Sequence, residues 1–445
     1  MSGAFAGEHA VVIGLGVAGA SAARVLAAEG ASVLVTEAGT DPCEAAELGA
    51  EGIGVQTGGH APEHLDGATL VIVSPGVPPH APILAWAAQR GLPVWGEMEL
   101  GARLARVPYL AVTGTNGKTT TTGMLAACLR ATGVDAVACG NIGHPFPAAA
   151  RGPHGTLVVE ASSFQLAVQS SFHPTVSVLL NLAPDHLDWH GSFEAYRNAK
   201  ARVFALQGPG DLHVGNRDDE GAAALSSSAS CRVRWFTLGE PDPDGAGYVE
   251  GRLIAGWSGA DLGGQDTDTP ALRADAAASA VAAHAYGVPD EAIAAALGAF
   301  VPDHHRGETV ASVGGVRFVD NSKATNPHAT LAAVGEATDV VLIAGGDAKG
   351  IDLAPLGALA PHLAAVVALG TSAGEVVRAL GDRVPARIVS SIEEAVAVAF
   401  ELAPAGSIVL LAPACASWDM FRDYAERGDR FAAAARSLHK EDVRT

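Results

Sequence analysis

The sequence predicts an α/β protein of three consecutive domains: a Rossmann-like domain at 1–106, a P-loop ATPase domain at 107–302 and a doubly wound Rossmann-like domain at 303–445. The first reason is length, because 445 residues exceed what one hydrophobic core usually holds. The second is a pair of glycine-rich turns, at 14–19 and 114–120, which each follow an apolar strand pattern and open a helix. The third is the alternation of strand and helix patterns in the last third of the chain.

Composition and charge exclude several classes of protein. The chain has 28 Lys and Arg against 48 Asp and Glu, and this net charge of −20 argues against binding to nucleic acid. It has no run of about 18 apolar residues, so we expect no membrane insertion. No basic region precedes the first apolar run, and the five cysteines are scattered. We therefore expect a cytoplasmic protein. We also expect a monomer, although composition does not bear on oligomeric state.

The first glycine-rich turn is of the dinucleotide-binding type. An apolar strand at 10–13 leads into a G-x-G-x-x-G turn, and an acid follows about 20 residues later at the end of the next strand. The turn has the sequence Gly14-Leu15-Gly16-Val17-Ala18-Gly19, and the later strand ends in Thr36-Glu37. Either it holds the pyrophosphate of a nucleotide, or its glycines only allow close packing of helix on strand. The pattern leaves both open.

The second glycine-rich turn is a variant P-loop. An apolar strand at 109–112 and Thr113 precede the loop Gly114-Thr115-Asn116-Gly117-Lys118-Thr119-Thr120. Its backbone N–H groups would face phosphates, Lys118 would add a positive charge, and Thr119 could ligate Mg²⁺. The strict motif has glycine at position 112, where this chain has Val112. Because strand, glycines, lysine and hydroxyls occur in order, phosphate binding is favoured over a turn with a surface lysine.

Two further positions are candidate metal or phosphate ligands because they follow apolar strands in the P-loop domain. Glu160 ends a strand at 156–159, where a Mg²⁺ ligand is expected beside a P-loop; the alternative is a solvated glutamate at a strand end. His186 follows the strand at 175–181, between Asp185 and Asp188. We interpret it as a metal or phosphate ligand rather than a structural histidine.

Lysine usage nominates four residues. The chain has 23 arginines but only five lysines: Lys118, Lys200, Lys323, Lys349 and Lys440. Lys440 lies in a polar tail, whereas the other four lie within distinctive motifs. A chain that prefers arginine should keep lysine where guanidinium cannot substitute. An exposed helical lysine is the alternative for Lys200.

The motifs together resemble the Mur ligase family, ATP-dependent amide-forming enzymes of peptidoglycan synthesis. GTNGKTT and EASSFQL are shared with several branches of that family. The more specific motifs are SKATNP at 322–327, GGDAKG at 345–350 and PACASWDMF at 413–421, which resemble the branch that adds D-glutamate to UDP-N-acetylmuramoyl-L-alanine. The resemblance covers the whole chain in order. It implies ATP, two Mg²⁺ ions, an acyl-phosphate intermediate, and a first domain that binds UDP rather than NAD.

The resemblance also implies residue roles. Catalytic roles fall to Lys118, Lys200, His186 and Lys323. The ATP site is the P-loop with Arg306 and Asn321, and the metal ligands are Thr119, Glu160, His186 and a carbamylated Lys200. D-glutamate would be held by Thr325, Lys349, Ser417 and Tyr424. The UDP-linked substrate would be held by Gly14, Gly16, Val17, Ala18, Gly19, Thr36, Glu37, Ser74, Asn141, Ser162 and Gln165.

Two departures from the family pattern leave contacts open. The usual His-Asn-x-x-Asn stretch reads Asp275-Ala-Ala-Ala-Ser279, and the order Asn-Asp-Ser-Lys reads Asp320-Asn321-Ser322-Lys323. Three other functions fit the sequence less well. A sister ligase for another amino acid or for folate disagrees with the third-domain loops, and a nicotinamide-dependent oxidoreductase leaves the P-loop unexplained. A P-loop switch protein would carry an N-K-x-D guanine motif, and this sequence has none.

Overall fold

The computed structural model describes residues 3–40, 42–263 and 269–438; Lys440 lies outside them. The described chain folds into three sheets and packs as two compact units. The first unit comprises the described residues within 1–182, 194–264 and 274–300, and the second comprises those within 183–193, 265–273 and 301–445. Among the described residues, no helix is both long and apolar enough to cross a membrane.

The first sheet is parallel, with strand order β3-β2-β1-β4-β5. Its strands are β1 His9–Ile13, β2 Ser32–Thr36, β3 Gly54–Gln56, β4 Leu70–Val73 and β5 Val94–Gly96. Its helices are α1 Val17–Ala28, α2 Glu44–Ala50, α3 Pro82–Gln89 and α4 Glu97–Leu104. Helices cover both faces of the sheet, so β4 is apolar throughout and fully buried. This confirms the predicted Rossmann-like architecture.

The second sheet has eight strands in the order β13-β12-β11-β10-β9-β6-β8-β7, all parallel except the β12–β13 hairpin. The strands are β6 Tyr109–Thr113, β7 Ala136–Gly140, β8 Thr156–Glu160, β9 Val176–Leu179, β10 Leu212–Asn216, β11 Arg232–Phe236, β12 Ala246–Val249 and β13 Arg252–Ala255. The helices of this stretch are α5 Lys118–Arg130, α6 Phe146–Arg151, α7 Ser163–Ala167, α8 Leu187–His190, α9 Phe193–Ala201, α10 Glu220–Ser226, α11 Pro270–Ala285 and α12 Asp290–Gly298. The strand that carries the P-loop, β6, lies between β9 and β8 and is fully buried.

The third sheet has the order β14-β15-β19-β16-β17-β18. Its strands are β14 Glu308–Val313, β15 Val316–Asp320, β16 Val340–Gly345, β17 Leu363–Leu369, β18 Ala386–Ile388 and β19 Ile408–Leu411, and its helices are α13 Pro327–Val334, α14 Ala373–Leu380, α15 Ile392–Leu402 and α16 Tyr424–Ser437. The sheet is parallel as predicted, except that β14 pairs antiparallel with β15. Sequence analysis missed β14 because its exposed edge position weakens the apolar pattern.

The first two sheets share one hydrophobic core, although the sequence predicts separate domains for them. The core includes Val12 of β1 and Phe172 after α7. The ring of Phe146 of α6 packs so closely against Gly101 of α4 that no Cβ would fit at that position. Glu99 of α4 fastens this joint, because its buried carboxylate accepts hydrogen bonds from the backbone and hydroxyl groups of two serines, Ser170 and Ser171. The two sheets therefore form one unit.

Candidate active site

The P-loop begins where β6 ends, and its two glycines are required by their surroundings. Gly117 is the N-cap of α5 and has a left-handed backbone with φ +84°. A Cβ there would lie 2.2 Å from Oδ1 of Asp275. A Cβ on Gly114 would lie 2.8 Å from the Cβ of Leu180. The loop therefore turns tightly, and the helix starts at Lys118 as predicted.

Two residues that sequence analysis did not assign to the site hold this loop in shape. Asn181 accepts the backbone N–H of Asn116 at 2.8 Å and donates to the carbonyl of Asn116 at 3.2 Å. The hydroxyl of Thr115 lies 2.8 Å from the hydroxyl of Tyr196. Their sequence signal was only positional, since Asn181 follows a strand end and Tyr196 lies one helical turn before Lys200.

Two of the motif lysines converge on the P-loop backbone. Lys118 Nζ donates to the carbonyls of Gly114 and Thr115 at 3.1 and 3.0 Å. Lys200 Nζ donates to the same Gly114 carbonyl at 2.7 Å and lies 4.8 Å from the centre of the Tyr196 ring. Lys200 is only 1% exposed, so the alternative of an exposed helical lysine is wrong. Burial of an amine among polar atoms is the arrangement expected for a functional lysine.

Glu160 is buried at the end of β8, so the alternative of a solvated glutamate is wrong. Its Oε1 accepts the side-chain N–H of Asn141 at 2.9 Å, which brings two predicted site residues together. Its Oε2 is buried with no hydrogen-bond partner among the described residues. A buried carboxylate oxygen left unpaired is costly, and a cation would satisfy it. Within the described ranges no group of three or more His, Cys, Asp or Glu side chains could by itself hold a metal ion.

The first departure from the family pattern faces the P-loop helix. Asp275 is buried, and its Oδ1 accepts the hydroxyl of Thr121 at 3.0 Å. The hydroxyl of Ser279 turns back onto the carbonyl of Asp275 at 2.7 Å. The acid therefore lies against the first turn of α5, where a negative charge is favoured by the helix dipole.

The glycines of the turn after β1 differ in the space around them. A Cβ on Gly19 would lie 2.0 Å from the carbonyl of Gly14, so this glycine serves packing. Gly16 has a negative φ, and a Cβ placed on it would meet no atom of the described chain within 4 Å, so its surroundings leave room for a ligand. Ser74 donates its hydroxyl to the Gly14 carbonyl at 2.9 Å, and Val17 is 66% exposed beside Ala18.

Glu37 closes one side of the same turn. Its carboxylate accepts the backbone N–H of Leu15 at 2.6 Å and that of Gly39 at 2.8 Å. The neighbouring Thr36 is fully buried, and its hydroxyl lies 2.9 Å from Nδ1 of His60 and 2.8 Å from Nδ1 of His64. Both histidines were missed by sequence analysis, because they lie in a loop with no recognisable spacing.

A hydrogen-bonded chain links α4 to the start of α7. Ser162 and Gln165 cap α7 reciprocally, and Gln165 donates its side-chain N–H to Glu97 at 2.6 Å. Burial raises the pKa of Glu97 to about 7, against the opposing effect of the Gln165 hydrogen bond. At Glu99 burial also acts to raise the pKa, but the hydrogen bonds from Ser170 and Ser171 outweigh it and lower the pKa to about 2. Opposite protonation behaviour on one short helix follows from the number of donors that each carboxylate receives.

In the second unit, the loop after β15 places Asp320 and Asn321 in different surroundings. Asp320 is buried, and it accepts Nδ1–H of His305 at 2.7 Å and the backbone N–H of Ser322 at 2.9 Å. Its oxygens are thus used inside the fold, whereas Asn321 is partly exposed. Of the pair, Asn321 is the more accessible to solvent. The predicted Arg306 is largely covered, with Nε 3.9 Å from Asp303.

Two of the predicted amino-acid-binding loops, those of Lys323 and Ser417, meet the start of α16 in this unit. Lys323 Nζ lies 3.7 Å from the centre of the Tyr424 ring, and the hydroxyl of Ser322 donates to the Tyr424 carbonyl. Arg427, whose pKa burial lowers to about 10, donates to Ser322 and to the carbonyl of Cys415. The loops that carry Lys323 and Ser417 are therefore tied to one buried guanidinium on α16, the helix that begins at Tyr424.

Lys349 lies in the loop after β16 in a left-handed conformation with φ +52°. Its Nζ lies 3.7 Å from Oδ1 of Asp185, and Asn326 donates to Oδ2 of the same carboxylate at 3.3 Å. The Lys349 loop also borders a cavity of about 390 Å³ lined by Asp347, Ser372 and Glu375 among others. His186 follows Asp185 with φ +53°, and Thr325 is partly buried. The arrangement brings Lys349 together with a carboxylate, which is the chemistry that an acidic amino acid would present.

Comparisons with known protein families agree with this geometry. The family model for the Mur ligase MurD-like N-terminal domain matches residues 8–96, that for the Mur ligase middle domain matches 112–255, and that for the Mur ligase glutamate ligase domain matches 305–415. A UDP-N-acetylmuramoylalanine--D-glutamate ligase of Frankia casuarinae is 46% identical over 450 residues, covering 97% of this chain and 95% of that protein. The corresponding ligase of Streptomyces avermitilis is 42% identical, covering 97% and 98%.

Solved structures share the fold at lower identity. UDP-N-acetylmuramate-alanine ligase MurC from Thermotoga maritima aligns with a TM-score of 0.62 at 18% identity, covering 96% of this chain and 99% of that one. MurF from Acinetobacter baumannii aligns with a TM-score of 0.61 at 16% identity, covering 96% and 91%. These likenesses support the arrangement of three α/β sheets.

Proposed function

This chain belongs to the Mur ligase family, and we propose that it is the ATP-dependent ligase that joins D-glutamate to UDP-N-acetylmuramoyl-L-alanine in peptidoglycan precursor synthesis. The observation that carries this proposal is the identity of 39–46% to D-glutamate ligases over 96–98% of the chain. A match of this length includes the third-sheet loops, where the incoming amino acid would be chosen. A match confined to the P-loop would have supported ATP use alone.

ATP would lie with its phosphates on the loop from Gly114 to Thr120. The open N-terminus of α5 presents backbone N–H groups, and Lys118 can leave the loop carbonyls for the phosphates. We extend the site to Arg306 and Asn321, for which the partial exposure of Asn321 is the supporting observation.

Mg²⁺ fits the residues that surround the P-loop. Glu160 has the unpaired buried oxygen that a hard cation takes, and Thr119 is the helix hydroxyl expected to join it. With few protein ligands nearby, such an ion would keep water and phosphate oxygens in its shell, as Mg²⁺ usually does. Bound Mg²⁺ would offset the negative charge of the triphosphate. We propose a second ion for His186 and Lys200.

For that second ion, Lys200 would act as a carbamate, formed when its neutral amine adds CO₂ and releases a proton. Its burial beside the Gly114 carbonyl supports this, because an amine can lose its proton and a guanidinium cannot. Lys200→Arg keeps a cation in place but cannot form a carbamate, so ligase assays should find it inactive. An active arginine variant would remove the carbamate from the proposal.

The reaction would proceed through an acyl phosphate. The substrate carboxylate attacks the terminal phosphorus, ADP leaves, and the amine of D-glutamate then displaces phosphate to form the amide. Bringing a carboxylate to a triphosphate opposes like charges, at roughly 4 kcal/mol for each pair at about 4 Å and an effective dielectric near 20. Lys118 would offset part of this cost and hold the terminal phosphate in line for attack.

D-glutamate would be held by Thr325, Lys349, Ser417 and Tyr424, with Lys323 nearby to stabilise the oxyanion of the second step. Two contacts support this set. Lys349 already pairs with a carboxylate, that of Asp185, and Lys323 lies over the Tyr424 ring. Lysine and arginine are side chains that hold a dicarboxylate well, and the buried Arg427 fixes the loop of Lys323 to the loop of Ser417.

The UDP-linked substrate would use the turn after β1, with Thr36, Glu37, Ser74, Asn141, Ser162 and Gln165. The space at Gly16 supports a ligand there. We also propose a monomer and a cytoplasmic location. The five free cysteines fit a reducing compartment, and ATP and nucleotide-linked precursors are cytoplasmic metabolites.

One assay tests the proposal. ADP release is measured with UDP-N-acetylmuramoyl-L-alanine and a panel of amino acids, with UDP-N-acetylmuramate and a folate as alternative acceptors. We expect release only with D-glutamate and the alanyl acceptor. Release with another amino acid would indicate a sister ligase, and release with no pair would contradict the ligase assignment.

A further inference from the structure

The loop after β3 adds two histidines to the end of the first sheet where the nucleoside should lie. In a parallel sheet of this kind, a nucleotide binds at the carboxyl ends of the strands, and the acid after β2 contacts the ribose. That acid is Glu37, whose carboxylate is fixed on the Gly14–Gly19 turn. The base therefore belongs beyond β2, on the side of β3, where His60 and His64 lie. This step rests on the proposed function, because it takes the nucleotide to be UDP.

A single buried hydroxyl holds both imidazoles. Thr36 is fully buried at the end of β2, and its Oγ1 lies 2.9 Å from Nδ1 of His60 and 2.8 Å from Nδ1 of His64. The backbone N–H of Ala61 donates to the same Nδ1 of His64 at 3.3 Å. Both rings are partly exposed, so their Nδ1 sides face the fold and their other nitrogens can face a ligand.

This network sets the tautomer of each ring. Because His64 Nδ1 accepts from Ala61 N–H, it carries no proton, and the contact with Thr36 must be a donation from the hydroxyl. The hydroxyl has only one proton, so toward His60 it can only accept, and His60 Nδ1 must carry the proton. His64 is then protonated on Nε2, while Nε2 of a neutral His60 is an acceptor.

The charge of His60 agrees with this assignment. Burial lowers the pKa of His60, against the opposing effect of the Glu37 charge, so the ring is neutral near pH 7. The two outer nitrogens are thus one donor, on His64, and one acceptor, on His60, carried by two rings that meet at the same hydroxyl. That pair is complementary to an imide, in which an N–H lies next to a carbonyl.

We propose that His60 and His64 read the uracil base of the substrate, with the imide N3–H donating to His60 Nε2 and the C4 carbonyl accepting from His64 Nε2–H. Cytosine in the same position presents an unprotonated N3 to the acceptor and an amino group to the donor. Both contacts would then be mismatched, and sites built for specific hydrogen bonds reject partners that leave them unpaired. Thr36 is a positioning residue that acts through the two rings.

The test compares UDP and CDP binding by calorimetry at about pH 7.5. The wild-type protein should bind UDP at least roughly tenfold more tightly than CDP. His60→Asn keeps an amide N–H in place of Nδ1–H but lacks the outer nitrogen, so it should weaken UDP about tenfold and leave CDP unchanged. His9→Asn is the matched control, because His9 also bonds a hydroxyl through Nδ1 but lies at the amino end of β1. It should leave both affinities unchanged.

Two results would overturn the proposal: an equal loss of UDP and CDP affinity in His60→Asn, or equal affinity of the wild-type protein for the two nucleotides. In both cases UDP still binds, and the proposed ligase function stands. Failure of the wild-type protein to bind UDP at all would overturn both. An independent readout is the ¹⁵N spectrum of the free protein, which should show a proton on Nδ1 of His60 and on Nε2 of His64. The reverse pattern would overturn the proposal whatever the affinities.

Discussion

The glycine-rich turns after β1 and β6 share a backbone plan but differ in the charges that surround them. Each leads from a buried strand into a helix whose first residue follows a glycine N-cap. At the P-loop, the amines of Lys118 and Lys200 lie on the carbonyl of Gly114. At the first turn, the carboxylate of Glu37 lies on the N–H of Leu15 instead.

We infer from this difference that the side chains around each turn, rather than the turn itself, select the phosphate ligand of the proposed sites. A triphosphate needs cations around it. Lys118 of the P-loop is one, and the unpaired carboxylate oxygen of Glu160 is the atom proposed to hold another, Mg²⁺. The first turn has a negative charge of its own, so a triphosphate there would meet repulsion. A nucleoside diphosphate whose ribose hydroxyls can donate to Glu37 suits it better.

The largest expected effect comes from removing the P-loop cation. Lys118→Ala should lower turnover by on the order of 10²–10³, because the terminal phosphate loses its positioned positive charge. Steady-state ADP release measures this effect. Calorimetry with UDP is the control, since the first turn should bind UDP as before. Near-normal turnover would contradict the assignment of ATP to this loop.

Both glycine-rich turns lie in the first unit, and we expect the stability of that unit to depend on pH through Glu97 of α4. The folded pKa of Glu97, about 7 because of burial, lies above its unfolded value of about 4.3. The stability that its protonated form contributes is therefore complete below about pH 4 and lost as pH rises through 7, on the order of 3 kcal/mol in all. Urea unfolding at about pH 5 to 8 should show this loss in the wild-type protein and little of it in Glu97→Gln.

Glu99 is the matched control for that titration. Burial acts to raise the pKa of Glu99, but hydrogen bonds from Ser170 and Ser171 outweigh it and lower the pKa to about 2. The stability that its ionised form contributes is therefore present above about pH 4 and lost as pH falls through 2. Glu99→Gln should therefore lower stability without changing the slope between about pH 5 and 8. An unchanged slope in Glu97→Gln would show that this carboxyl does not titrate in the folded unit.

The two N-cap glycines separate the roles of the turns. Gly16 has a negative φ and open space around it, so Gly16→Ala should leave the melting temperature unchanged but weaken UDP about tenfold by filling the ligand's approach. Gly117→Ala should instead cost about 1–2 kcal/mol of stability, because φ is +84° and the new Cβ would meet Asp275. Unchanged UDP affinity in Gly16→Ala would make the first turn a packing device.

The parts that sequence predicted are those whose causes are local. The strand–turn–helix of the P-loop and the extended Asn326 before Pro327 follow from neighbouring residues, and both are confirmed. Lysine scarcity correctly indicated that Lys200 is not a surface residue. What could not be predicted depends on contacts distant in the chain. Asn181 bonds Asn116 across 65 residues of sequence. The shared core of the first two sheets arises from α4 and α6, and the apolar residues of these helices do not indicate which element they pack against.

The smallest expected effect comes from Asp275, whose buried carboxylate lies against the helix that follows the P-loop. An amide oxygen can still accept the Thr121 hydroxyl, so Asp275→Asn should keep the contact while removing a negative charge beside the phosphate loop. The Michaelis constant for ATP should then fall about three- to fivefold, equivalent to roughly 1 kcal/mol of lost repulsion. Stability should fall by about a few tenths of a kcal/mol, because the carboxylate faces the positive end of α5. Tighter use of ATP together with lower stability is a specific combination of effects. A higher Michaelis constant for ATP would mean that the carboxylate binds the nucleotide itself. The control is Glu37→Gln, at the other turn, which should leave this constant unchanged.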